Sequence, residues 1–129
     1  MFMYEALLRR AKSQSPIRVG LIGAGKFGSM FLAQVPSTPG LEVVAIADLF
    51  PDQARTTCAS IGWSKELIAQ TIFSEDAVEI MQRVELDVIV EATGDPIVGI
   101  THARHAIANR IHIVMVNVEA DVLAGSFLA

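Results

Sequence analysis

The chain has 129 residues, which is enough for one domain with a buried core and too few for two. Hydrophobic residues make up 52% of it and charged residues 19%, which favours a sheet buried on both faces and excludes a disordered chain. The net charge of −4 argues against a nucleic-acid partner. A single cysteine excludes a disulfide framework and a cysteine metal cluster, and no apolar run approaches the roughly 20 residues of a membrane span. We therefore expect a cytoplasmic protein with no membrane partner.

Two units are predicted along the chain. Residues 1–15 form an amphipathic helix with Tyr4, Leu7 and Leu8 on one side, and this helix lacks the long apolar core of a signal peptide. Residues 16–129 form the second unit, where β-branched runs predict strands and helical periodicity predicts helices.

Strands and helices alternate through the second unit. The predicted strands cover residues 17–22, 42–47, 87–92 and 111–117. The predicted helices cover residues 26–34, 51–60, 74–83 and 96–109, and a last one runs from Glu119 onward. Ser74 is the expected N-cap of its helix, and residues 61–74 show no clear pattern. The alternation predicts right-handed βαβ crossovers, and therefore an α/β fold with a Rossmann-type doubly wound parallel sheet.

A GxGxxG motif directly follows the first predicted strand and begins the helix after it. Gly23 permits a tight turn, Gly25 lets a pyrophosphate approach the backbone, and Gly28 lets the helix lie close to the strand. Free amides and the helix dipole at that N-terminus attract phosphate. The whole motif is predicted to bind a dinucleotide, through Gly23, Ala24, Gly25, Lys26, Phe27 and Gly28. We therefore predict a single NAD(P)-binding domain.

Asp48 ends the second predicted strand, twenty positions after Gly28, where the adenosine ribose of a bound dinucleotide is expected. A carboxylate there accepts hydrogen bonds from both ribose hydroxyls and repels a 2′-phosphate, which favours NAD. Arg55, in the next predicted helix, could instead pair with a 2′-phosphate. The cofactor therefore stays open between NAD and NADP, with NAD favoured by Asp48.

The buried strand over residues 87–92 ends in polar residues. Thr93 and Gly94 are predicted to border the nicotinamide ribose, because ligands of such sheets lie beyond the carboxyl ends of the strands. The alternative is an ordinary strand-to-helix turn, with Pro96 as the first helical residue. Glu91, within the apolar run, is either a hydrogen-bonded buried carboxyl or a site acid, and we favour the structural role.

Polar residues also follow the last predicted strand. Asn117 and Glu119 are weak candidates for catalysis, and Asp121 is a weaker one; the catalytic residues are otherwise unknown. His102 and His105 lie three positions apart on one predicted helix, but no further ligands accompany them, so no metal site is predicted. We expect both histidines to be packed or exposed to solvent.

With these segments in view, the chain resembles the homoserine dehydrogenase-like NAD(P)-dependent oxidoreductases. It is most similar to a bacterial group with a C-terminal SAF domain, which includes 1-deoxy-D-xylulose 5-phosphate reductoisomerase-like enzymes of isoprenoid biosynthesis that use NADPH. The resemblance is carried mainly by residues 22–30 (IGAGKFGSM) and 116–121 (VNVEAD). It implies that the three motif glycines bind the pyrophosphate, that Asp48 binds the ribose, and that Thr93 and Gly94 border the nicotinamide.

The resemblance covers only the N-terminal domain of such enzymes. The full-length protein is expected to transfer hydride between nicotinamide and a small hydroxy or oxo substrate, reached through catalytic and oligomerisation domains outside this chain. We expect a homo-oligomer, with this chain alone inactive. A non-catalytic NAD(H)-sensing module is the alternative of a different class.

Overall fold

The computed structural model describes residues 2–116, and within them one sheet of five parallel strands. The strands are β1 (Ile17–Ile22), β2 (Leu41–Ala47), β3 (Ile72–Ser74), β4 (Val88–Glu91) and β5 (His112–Met115). Their order across the sheet is β3-β2-β1-β4-β5, so the direction of winding reverses between β1 and β4. The predicted α/β class and Rossmann-type doubly wound parallel sheet are confirmed.

Helices cover both faces of the sheet. They are α1 (Phe2–Lys12), α2 (Lys26–Gln34), α3 (Pro51–Ser60), α4 (Lys65–Gln70), α5 (Ala77–Arg83) and α6 (Pro96–Ala108). On one face Leu21 of β1 packs in a core with Leu32 of α2, and on the other Ile22 packs in a core with Ile80 of α5 and Ala106 of α6. Side chains that alternate between two covered faces explain why the strands are apolar throughout.

The segment over residues 61–74, which has no clear pattern in the sequence, contains both α4 and the edge strand β3. β3 has three residues, too few for an apolar pattern to become visible. The prediction that Ser74 caps the following helix is wrong. Ser74 ends β3 and its hydroxyl accepts from the amide of Asp76, while the side chain of Asp76 caps α5 by accepting from the amide of Glu79.

The backbone of the N-terminal helix contacts Gly40, the residue before β2. A Cβ atom on Gly40 would lie 2.2 Å from the carbonyl oxygen of Leu7, so this contact requires glycine. Leu7 and Leu8 are half-buried, whereas Tyr4, predicted to lie on the same side of the helix, is 53% exposed. The helix ends at Lys12, before the predicted limit at residue 15.

β1, α2 and α3 have the predicted bounds, and the remaining predicted ends differ by at most three residues, as strand and helix ends usually do. Pro51 and Pro96 begin their helices as predicted. The predicted helix from residue 119 lies outside the described residues. Within residues 2–116, no helix is long and apolar enough to cross a membrane, and no cluster of three or more His, Cys, Asp or Glu side chains could hold a metal ion.

Candidate functional site

The glycine loop between β1 and α2 has the geometry that its three glycines require. Gly23 has a φ of +93°, and a Cβ atom there would lie 2.8 Å from the carbonyl oxygen of Ala92 at the end of β4. A Cβ atom on Gly28 would lie 2.2 Å from the carbonyl oxygen of Gly23. These two glycines therefore permit a turn and a helix approach that any side chain would obstruct.

Gly25 is glycine for a different reason. A Cβ atom there would meet nothing within 4 Å, and its φ of −75° is open to any residue. The space in front of it lies at the N-terminus of α2. Within the described part of the chain, the amides of Gly25, Lys26 and Phe27 donate to no protein acceptor. The loop thus presents unpaired N–H groups and the positive end of a helix dipole beside an open space, which fits a pyrophosphate.

Asp48 joins the end of β2 to this loop. Its Oδ2 atom accepts from the amide of Ala24 at 2.8 Å, and its Oδ1 atom accepts from the amide of Phe50 at 2.9 Å. Each carboxylate oxygen has a further lone pair for a ribose hydroxyl. The structure therefore brings Asp48 and the glycine loop together, and the contact with Ala24 is one that the sequence did not reveal.

Arg55, the residue that could favour NADP, is already paired. Its guanidinium donates to Asp52 at 2.7 Å and lies 4.8 Å from the centre of the Phe73 ring. An arginine held between a carboxylate and an aromatic ring must leave both contacts to reach a 2′-phosphate. In the described structure, the positive charge of Arg55 is therefore paired with Asp52 and not with Asp48.

Thr93 and Gly94 lie in the turn between β4 and α6, at the switch point of the sheet. The Thr93 hydroxyl donates to Glu91 and accepts from the amide of Asp95 at 3.3 Å, so its proton is used within the protein. Gly94 has a φ of +76° and is exposed. Thr93 is exposed as well, with its hydroxyl proton donated to Glu91, and the placing of Thr93 and Gly94 beside the nicotinamide ribose stays a prediction.

Glu91 is fully buried at the end of β4, where it accepts from the amide and hydroxyl of Thr93 and contacts Nδ1 of His102 on α6. Burial raises the pKa of this carboxyl, but the hydrogen bonds from His102 and Thr93 outweigh it and hold the pKa below the ordinary 4.5. A carboxylate only accepts, so His102 donates through Nδ1. The favoured structural role of Glu91 agrees with these contacts.

His102 was not recognised from the sequence as the partner of Glu91. A lone carboxyl in a buried strand does signal that a donor lies near, but not which one. The donor comes from the next helix, and the pairing depends on how α6 packs on the sheet. Asn117, Glu119 and Asp121 lie outside the described residues.

A family model described as "Oxidoreductase family, NAD-binding Rossmann fold", named GFO/IDH/MocA, matches residues 17–116. The chain belongs to this family. The prediction of an NAD(P)-dependent oxidoreductase domain is confirmed at that level, and so is the nicotinamide dinucleotide as its cofactor. The narrower homoserine dehydrogenase-like subgroup is not established by the match.

Several solved structures of dehydrogenases have a similar fold. A homoserine dehydrogenase from Thiobacillus denitrificans is 22% identical, with a TM-score of 0.72 over 88% of this chain and 26% of its own. A myo-inositol dehydrogenase from Lactobacillus casei, solved with NAD(H) and myo-inositol, is 18% identical, with a TM-score of 0.64 over 78% of this chain and 28% of its own. A myo-inositol dehydrogenase from Corynebacterium glutamicum is 24% identical, with a TM-score of 0.63 over 78% of this chain and 27% of its own.

The chain spans between a quarter and a third of the length of these dehydrogenases. A search of curated protein sequences found no match. The family match identifies the domain as an NAD-binding oxidoreductase domain, and the geometry of the site indicates how it binds the cofactor.

Proposed function

We propose that this chain holds NAD(H) at the carboxyl edge of its sheet, within an enzyme that oxidises or reduces a small hydroxy or oxo compound. The observation that carries the proposal is the open space in front of Gly25, bordered by the unpaired amides of residues 25–27. The pyrophosphate would lie there, and the two hydroxyls of the adenosine ribose would donate to Asp48.

NAD(H) is proposed over NADP(H) because of charge. A 2′-phosphate would meet the Asp48 carboxylate, whose oxygens are already fixed by the amides of Ala24 and Phe50, so the carboxylate cannot turn away without breaking both bonds. Arg55 is held by Asp52 and offers no compensation without leaving that contact. A charge-assisted hydrogen bond contributes about 1.5–3 kcal/mol, which corresponds to roughly ten- to hundredfold discrimination.

Bound NAD(H) supplies or accepts a hydride at nicotinamide C4. The residues of this chain bind and orient the dinucleotide. The substrate class follows the solved relatives, of which one was crystallised with myo-inositol. We also propose that the protein belongs to the homoserine dehydrogenase-like subgroup, and residues 22–30 and 116–121 support this. The proposal includes a homo-oligomer whose substrate is bound through further domains.

The test is a titration of NADH and NADPH into the full-length protein, followed by fluorescence of the reduced nicotinamide. We expect NADH to bind about ten times more tightly than NADPH, and Asp48→Asn to remove most of that preference. Glu42→Gln is the matched control, since it removes an exposed carboxylate at the opposite end of the same strand and leaves the pair of Asp52 and Arg55 intact.

Glu42→Gln should leave the preference for NADH unchanged. Tighter binding of NADPH than of NADH by the unmodified protein would contradict the cofactor assignment. Failure to bind either dinucleotide would contradict the proposed function itself.

A further inference from the structure

Glu91, at the end of β4, is a charged residue at a buried position where an apolar residue would avoid the cost of desolvation. Glu91 has no exposed surface, and both of its neighbours across the sheet are apolar, Ile22 on β1 and Met115 on β5. Burying a carboxylate is costly unless donors surround it, and well-packed apolar residues often stabilise a core at least as well. The position of this carboxylate therefore points to a role beyond stability.

Every described contact of the Glu91 carboxylate acts on the same turn or on the helix behind it. One oxygen accepts from both the amide and the hydroxyl of Thr93, and the other is held by His102 on α6. Thr93 in turn accepts from the amide of Asp95, the N-cap residue of α6. Hydrogen bonds thus connect Glu91 at the start of the β4–α6 turn to Thr93 in its middle, and Thr93 to Asp95 at its end. His102 connects the same carboxylate to α6.

This turn lies directly against the glycine loop. The carbonyl of Ala92 is the atom that a side chain on Gly23 would strike, and the amide of Ala92 donates to Ile22 at 2.8 Å. A dinucleotide whose pyrophosphate lies on the glycine loop extends its nicotinamide half toward the turn, because the turn follows the next strand at the switch point.

We propose that Glu91 and His102 are positioning residues that fix the β4–α6 turn for the nicotinamide half of the dinucleotide. This inference rests on the proposed function. The ADP half depends on other groups, the amides of the glycine loop and Asp48, and within residues 2–116 no hydrogen bond joins these groups to the side chains of the pair. Loss of the pair should therefore weaken binding of the nicotinamide half and leave binding of the ADP half unchanged.

The test compares NADH with ADP, which lacks both the nicotinamide ring and its ribose, by isothermal titration calorimetry on the full-length protein. His102→Leu removes the donor to Glu91, and we expect about tenfold weaker binding of NADH with ADP changed less than about twofold. His102→Gln keeps a donor and should recover most of the NADH affinity. His105→Leu, on the same helix and outside the contact, is the matched control and should change neither ligand.

A merely structural role of the pair would weaken both ligands equally or neither, and either result would overturn the inference. If His102→Leu fails to fold in a thermal melt, Thr93→Val removes the hydroxyl that joins Glu91 to the amide of Asp95, while the amide of residue 93 still donates to Glu91, and a smaller but still selective loss of NADH affinity is expected. Equal affinities of the unmodified protein for NADH and ADP would overturn this inference but not the proposed function. Absence of binding for both ligands would overturn both.

Discussion

Two glycines in the same loop should respond to alanine in opposite ways. In Gly28→Ala the new Cβ would lie 2.2 Å from the carbonyl oxygen of Gly23, 0.8 Å inside the 3.0 Å below which such contacts essentially never occur (3.0 − 2.2). Both atoms belong to the backbone, so neither can rotate away. In Gly25→Ala the new methyl group would meet no protein atom within 4 Å.

The size of each effect follows from the contacts. Overpacking costs about 1–3 kcal/mol, and the upper end applies because the clash is with a backbone atom; alanine within a helix regains about 1 kcal/mol over glycine, so Gly28→Ala should lose about 2 kcal/mol. That loss corresponds to a fall in Tm of roughly 3–10 °C for a domain of this size. Gly25→Ala loses a favourable N-cap residue but reduces the entropy of the unfolded chain, so its stability should change by less than about 0.5 kcal/mol.

Gly25→Ala, which should hardly change stability, should strongly weaken cofactor binding. The methyl group of Gly25→Ala would occupy the space in front of the free amides, and we expect at least about tenfold weaker NADH binding with an almost unchanged Tm. Thermal melts followed by circular dichroism and calorimetric titration of NADH measure the two quantities on the same samples. If Gly25→Ala binds NADH as tightly as the unmodified protein, or if Gly28→Ala is fully stable, the assignment of these two glycines is wrong.

Three further predictions concern stability and reactivity. The pKa of Glu91 is lower in the folded state than in the unfolded chain, so its carboxylate stabilises the fold above about pH 4.5. This contribution is lost as the pH falls through the pKa of the folded state. Acid titration of Glu91→Gln should therefore show a shallower loss of stability than that of the unmodified protein. Trp63→Phe removes the 2.8 Å hydrogen bond from the indole to the carbonyl of Leu32 in the core, and urea unfolding should show a loss of about 1–3 kcal/mol; an unchanged midpoint would contradict it. Burial raises the pKa of Cys58 to about 11, so a thiol reagent at pH 8 should modify it only after unfolding, and rapid modification of the native protein would be inconsistent with its position.

Features encoded by short stretches of chain could be predicted from the sequence. The glycine loop is one such feature, because a tight turn, a phosphate approach and a close helix each require a missing side chain at a set position in six consecutive residues. Asp48 is another, since the length of the first βαβ unit determines where the second strand ends. Even the proline starts of α3 and α6 follow from a local property, the missing N–H.

The contacts that give the site its chemistry depend on tertiary packing. Residue type alone places Thr93 beside the nicotinamide ribose and leaves Arg55 as a possible partner for a phosphate. The structure commits the Thr93 proton to Glu91 and the Arg55 guanidinium to Asp52. Each group has several acceptors within its conformational reach, and only the packed positions of the helices on the sheet select one.

The sequence by itself determined the parallel sheet, the dinucleotide loop and the acid beside it, because these depend on neighbours along the chain. Tertiary structure decided the partner of the buried carboxyl: Glu91 and His102 are eleven positions apart and meet only because α6 returns across the end of β4. A buried charge must find its donors wherever the fold brings them, and no local pattern specifies that meeting.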